Sequence, residues 1–444
     1  MNRRNFFGTA IAGGGLLAWP SRPFAQASTG RKPDRVAKMD LRELRRQYHR
    51  YLFDDFLPFM DKYVIDREMG GFMCLTDYTG EREGGKKFSW FEGRGSWVYA
   101  FLYNNLAREQ KYLNVARKSL EFVLKSKPKN EDELWSKELT RDGKPITPPD
   151  GEIYGDLFIA EGLAEFSKAT GEKTHWDEAK ELVLKCVRVY DRTDYRPTIG
   201  QTYLGKDARP FPGARIMGAW MVLLRVATQM LEMRPDGELE KIAARCVDAV
   251  LNHHYNPEFR LNNELLNHDL SRPTNEYGQL VYTGHCLEIM WMLLFEAERL
   301  KDKKLFDTVV ERFRRHAEVA HDDVYGGFLR NLMNVEQNLW TLDKVLWAQE
   351  EVLICSLYVF ERTGAEWAHD LFDRTYAYVT TTYPLTSHNS PIWMYAGNRR
   401  MEFEAFRAMP KRIENYHHPR HLMLNLLSLG RMIKKNGASP AKSS

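Results

Sequence analysis

Gly155-Asp156-Leu157-Phe158-Ile159-Ala160 and Gly218-Ala219-Trp220-Met221 open two helical stretches that leave almost no polar face. A helix that is apolar nearly all round is a buried helix. Outward from these two, apolar residues recur at helical spacing from Met39 onward, interrupted by Gly, Pro, Asn and Asp, and almost no segment alternates as a strand would. The periodicity predicts about twelve helices, near 39–63, 93–108, 110–126, 154–170, 174–192, 213–233, 237–254, 281–300, 303–320, 343–362, 365–382 and 417–434. Alternate members, starting near 93, 154, 213, 281, 343 and 417, are the aromatic, apolar ones. Their spacing of about sixty to seventy-odd residues marks a helical hairpin repeated about six times. Weak echoes agree: Gly70-Gly71-Phe72 returns as Gly326-Gly327-Phe328, and Gly171 and Gly364 sit where a left-handed helix C-cap is wanted. An open solenoid would need polar capping repeats and a long groove. Alternate helices without a polar face favour a closed all-α barrel, inner helices wrapped by outer ones, as one domain over 39–435.

The 444 residues are 43% hydrophobic and 28% charged, which excludes a disordered chain, a collagen and a polytopic membrane protein. Eleven tryptophans supply a large core and rings suited to stacking on sugars. Arg3, Arg4 and Arg22 account for three of the net +4 charges, so no nucleic-acid partner is expected. Arg3-Arg4-Asn5-Phe6-Phe7, the apolar run to Trp19 and Ala25-Gln26-Ala27 read as a twin-arginine-type export signal over 1–27. This predicts a bacterial, periplasmic protein. The run is short of the ~20 residues of a membrane span, so no stable insertion is expected. Residues 28–38 read as a linker and 436–444 as a polar tail. The five cysteines form no CxxC; Cys186, Cys246 and Cys355 lie in helical patterns as buried small hydrophobes.

Four clusters carry polar chemistry, each at the start of an alternate helix. In Trp90-Phe91-Glu92-Gly93-Arg94-Gly95-Ser96-Trp97, Arg94 stands in a first helical turn, where a cation opposes the dipole. It either serves an anionic ligand or pairs with Glu92 or another carboxylate. In Gly284-His285-Cys286-Leu287-Glu288, His285 and Glu288 share a helix face, so the carboxylate can orient the imidazole. The bland alternative is a structural histidine, and nothing completes a metal site. In Lys344-Val345-Leu346-Trp347-Ala348-Gln349-Glu350-Glu351, Trp347 and Glu350 combine a stacking plate with a carboxylate. Otherwise Trp347 is core and Lys344 pairs with Glu351. Asn415-Tyr416-His417-His418-Pro419-Arg420-His421 packs three histidines beside a proline suited to a first turn, as a site or as a solvated turn. If these helices line a barrel in one direction, the clusters meet at one mouth. Several positive dipole ends there would keep an imidazole neutral and basic.

Gly93-Arg94-x-x-Trp97, Gly284-His285-x-x-Glu288, Lys344-x-x-Trp347-x-Gln349-Glu350 and Tyr416-His417-x-Pro419-Arg420, taken in order, resemble the motif set of the N-acylglucosamine 2-epimerase family. That family includes cellobiose 2-epimerases and mannose or sulfoquinovose aldose–ketose isomerases. The resemblance implies an (α/α)6 barrel and a carbohydrate isomerase. His285 and His417 would be the acid–base pair, Arg94 the sugar-oxygen ligand and Glu288 the support of the first histidine. Trp97, Trp347, Glu350, Tyr154 and Arg420 would bind substrate. No metal or organic cofactor is implied; the partner is a small sugar, with a homodimer left open. One departure is visible. The third inner helix, where the family's disaccharide epimerases carry a histidine, opens Gly213-Ala214-Arg215-Ile216-Met217-Gly218-Ala219. This leans toward a monosaccharide or N-acyl amino sugar and leaves Arg215 as an added contact.

The implied chemistry is removal of the proton at C2 of an open-chain sugar and its return on the opposite face, or at C1 for an aldose–ketose isomerisation. Two other classes compete. An inverting glycoside hydrolase would need two carboxylates about 6.5–9.5 Å apart, with Asp156, Glu288 and Glu350 as candidates. A non-catalytic sugar-binding repeat protein would need neither.

Overall fold

The computed structural model describes residues 35–197, 204–205 and 208–437. The predicted signal 1–27, the first part of the linker and the tail beyond 437 lie outside the described residues. Twelve principal helices are found among those described. We number them α1 (41–64), α2 (Ser89–Asn105), α3 (Gln110–Leu124), α4 (Tyr154–Thr170), α5 (Lys173–Tyr190), α6 (Met217–Met233), α7 (237–253), α8 (Thr283–Leu300), α9 (Lys303–Ala320), α10 (Leu346–Thr363), α11 (Glu366–Thr382) and α12 (His417–Gly437). α1 is π-helical on both sides of Pro58, whose missing N–H cannot complete a regular turn.

The even-numbered helices form the inner ring and are buried along most of their length. The odd-numbered helices are amphipathic and wrap outside them. Each inner helix packs on the next around the ring, and α12 closes it against α2 and α1. The result is the predicted (α/α)6 barrel rather than a solenoid. Gly171 and Gly364 end α4 and α10 in the left-handed region, with φ of 77° and 70°. All five cysteines are buried and unbridged, and no described helix is long and apolar enough to cross a membrane.

The periodicity did not reveal six two-stranded antiparallel ladders. Three of them end one residue before an inner helix. Lys87–Phe88 pairs with Glu138–Leu139 ahead of α2, Arg215–Ile216 with Leu265–Leu266 ahead of α6, and Lys344–Val345 with Ala396–Gly397 ahead of α10. They clamp the N-terminal ends of the inner ring, where the polar clusters stand. A further ladder, Arg35–Val36 with Met39–Asp40, buries Val36, so the packed domain includes residues 35–38 of the stretch read as linker.

Candidate active site

All six inner helices point their N-terminal ends to one side, and their N-terminal halves enclose a cavity of about 320 Å³. It is lined by Arg94 from α2, Tyr154 and Phe158 from α4, Arg225 from α6, His285 and Glu288 from α8, Trp347 from α10, and His417 and Arg420 from α12. The dipoles of the six helices converge there and favour negative charge in the space between them. That volume is at the small-molecule end of binding cavities.

His285 is held by a residue that sequence reasoning missed. Its Nδ1 lies 2.9 Å from Oε1 of the fully buried Glu264, not on Glu288. A carboxylate only accepts, so Nδ1 of His285 is the donor in this contact and Glu264 fixes the orientation of the ring. Glu264 follows Asn262-Asn263, a segment fixed from several sides. The amide N–H of Asn262 donates to Nε2 of His316 at 3.0 Å. The carbonyl of Asn263 accepts from Nδ1 of His254 at 2.7 Å, and the Asn263 amide donates to Gly278 O at 2.6 Å. Gly218 permits the approach from α6, since a Cβ there would stand 2.7 Å from both His285 Cε1 and the Tyr154 hydroxyl.

His417 opens α12 and is nine-tenths buried. Burial, with Arg420 and Arg94 nearby, pushes its imidazole well below the ordinary histidine range, so it is neutral at physiological pH. Its Nε2 lies 3.7 Å from Glu288 Oε1. The Trp347 ring neighbours both imidazoles, 5.3 Å from His417 and 6.1 Å from His285, centroid to centroid. Gly284 lets Trp347 in, because a Cβ there would come within 2.6 Å of the indole. Glu288 therefore serves Arg420 and His417 rather than His285: Arg420 donates to it at 2.6 Å and to Glu351 at 2.6 Å. Burial and Glu288 across the guanidinium push the Glu351 carboxyl upward.

Arg94 lies in the second turn of α2, since the helix starts at Ser89, four residues before the sequence expectation. Its guanidinium stacks on Phe158 at 4.1 Å and Tyr416 at 5.0 Å, and its carboxylate partner is Glu414 at 3.7 Å, not Glu92. Its Nε is buried without a hydrogen-bond partner, as is the hydroxyl of Tyr154. Below them the Tyr416 hydroxyl donates to Glu161, which also faces Arg225.

Several expected positions turn away from the cavity. Trp97 is fully buried, and its Nε1 donates to Gln229 at 3.0 Å. Glu350 points behind the cavity to His418 and His421. Arg215 donates to the Asp191 carbonyl at 2.9 Å, and Lys344 pairs with Asp322 at 2.8 Å rather than with Glu351. Of the three carboxylates proposed for a hydrolase, Asp156 is tied to Lys185 and only Glu288 lines the cavity. A helix apolar on all sides gives no sequence cue to which face meets the axis, and Trp97 and Glu350 were misassigned for that reason.

Fold and site together define a carbohydrate-isomerase-type barrel enzyme with a polar cavity at the N-terminal ends of its inner helices. The same fold occurs in the cellobiose 2-epimerase of Bacillus thermoamylovorans, with a TM-score of 0.73 at 17% identity over 87% of this chain and 99% of that one. It occurs also in a D-mannose isomerase, with a TM-score of 0.66 at 13% identity over 88% and 97%. The chain belongs to the N-acylglucosamine 2-epimerase (GlcNAc 2-epimerase) family, whose model matches residues 70–419. It is 27% identical over 328 residues to the N-acylglucosamine 2-epimerase of Bos taurus, spanning 70% of this chain and 74% of the bovine one.

Proposed function

We propose that the protein interconverts sugars epimeric at C2, with His417 and His285 as the two proton-transfer groups. The observation that carries this reading is the pair of imidazoles lining one cavity beside Trp347, one held neutral by burial and the other braced by Glu264. His417 takes the C2 proton of the open-chain aldose, and the electron pair moves onto the carbonyl oxygen. Arg94 steadies the resulting enediolate, aided by the converging helix ends. His285, entering as the imidazolium beside Glu264, returns a proton to the opposite face of C2. For the reverse reaction the roles exchange, and solvent resets both rings. Reprotonation at C1 by the first base would yield a ketose instead, and one protein of this fold is named a D-mannose isomerase. The relatives' names and the lack of a histidine opening α6 favour an N-acyl hexosamine or an aldose monosaccharide.

The test is incubation with a panel of aldoses and N-acyl hexosamines in D₂O, followed by proton NMR. The expected result is loss of one sugar's C2 proton signal with growth of its epimer or ketose. Folded protein that exchanges no C2 proton in any sugar overturns the reading. Export by the twin-arginine route is a second proposal, supported by Arg3-Arg4-Asn5-Phe6-Phe7. Replacement of both arginines by lysine should keep the full chain in the cytoplasmic fraction of a bacterial host; unchanged distribution refutes it.

A further inference from the structure

The histidine-rich start of α12 contains two imidazoles that the proposed reaction does not use. His418 and His421, one helical turn apart, point away from the cavity to Glu350 on α10. His418 Nδ1 is 2.5 Å and His421 Nδ1 3.3 Å from Glu350 Oε1. All three side chains are buried. Among the described residues Glu350 forms ion pairs with these two histidines alone, and its Oε2 is buried without a hydrogen-bond partner, as is His421 Nδ1. The outer nitrogen of His421 is hydrogen-bonded to the Tyr48 hydroxyl at 3.1 Å, which Asn425 holds in turn at 3.1 Å. Such a partner on the far nitrogen fixes the tautomer that aims a ligating imidazole at a metal.

We propose that Glu350, His418 and His421 form a structural site for a divalent transition metal, zinc by donor preference, that ties α10 to α12 directly behind His417. Two imidazole nitrogens and one carboxylate oxygen suit zinc and disfavour magnesium or calcium. The ion displaces the Nδ1 proton now shared between His418 and Glu350 and widens that contact, while the free Oε2 of Glu350 offers a second oxygen. The comparable group in the cavity, Glu288, Glu351 and His417, does not qualify, because the Arg420 guanidinium already bridges both carboxylates. This site does not rest on the proposed reaction.

Tag-free protein from zinc-supplemented culture should carry about one zinc per chain by elemental mass spectrometry. The metal should be lost from Glu350→Gln and His421→Asn variants that keep the wild-type circular dichroism. If those variants do not fold, wild-type protein grown with cobalt in place of zinc should show the visible absorption of tetrahedral cobalt. Wild-type protein free of zinc and without that absorption overturns the proposal, as does zinc retained in both folded variants; the cluster is then a hydrogen-bonded ion pair.

Discussion

At the scale of single residues, the two imidazoles differ in how they are kept ready. Burial, with guanidinium groups nearby, holds His417 neutral, so in the proposed reaction its imidazole is unprotonated below the ordinary histidine range. His285 depends instead on one carboxylate, Glu264. His417→Ala and His285→Ala should each lower turnover by about 10²–10⁴-fold with an unchanged helical spectrum, and exchange of the C2 proton with D₂O is the measurement. Wild-type exchange in either variant would remove that ring from the mechanism. Gly218 acts through space rather than charge. Gly218→Ala would force His285 or Tyr154 aside by a fraction of an ångström, and a displacement of that kind can cost about 10²-fold. Steady-state kinetics should show the loss in kcat/KM while the melting temperature holds; full activity would mean that the backbone yields instead.

Among elements, the Gly-Gly-Phe echo of the sequence proves to be a repeated clamp. Asp66 binds Lys87 at 3.0 Å and Arg141 at 2.7 Å, and Asp322 binds Lys344 at 2.8 Å and Arg399 at 2.8 Å, each behind a pair of left-handed glycines. The amide after each glycine pair donates into the next inner helix, Phe72 to Glu92 and Phe328 to Gln349. The two acceptors differ in charge. Burial raises the Glu92 carboxyl to about 7 from its ordinary 4.5. Its favourable contribution is present below pH 4.5 and lost as pH rises through 7, beyond which the fold carries a buried carboxylate costing at most roughly 3 kcal/mol. Glu92→Gln copies the other clamp and should stabilise the protein at pH 8 but not at pH 5. Urea denaturation at both values decides it, and equal effects would show that the proton is immaterial.

The helical ring and the four motifs were legible because periodicity and residue pairing within one helix are local signals. The ladders ahead of α2, α6 and α10 were not, since two residues have no period. Glu264 was hidden for the same reason, lying in a short connection whose shape is imposed by the neighbouring His254 and Gly278 and by the distant His316.

For the molecule as a whole, His254 and His316 set an acid limit. Burial lowers each to about 4 from 6.5. The unfolded chain therefore binds protons that the fold refuses, and stability present above pH 6.5 is lost progressively toward pH 4, by up to roughly 3 kcal/mol per ring. Both rings anchor the segment that presents Glu264, so activity should fall along with stability. Thermal melts and turnover from pH 7 to 4 test this; a melting temperature constant over that range would contradict it.

Because α12 both seals the ring against α1 and α2 and carries His417 and Arg420, the cavity is assembled only after every other ring helix has left the ribosome. A nascent chain halted ahead of residue 417 holds His285, Arg94 and Trp347 but lacks His417, Arg420 and the wall they form. The cavity is thus incomplete throughout translation, and its completion coincides with closure of the barrel.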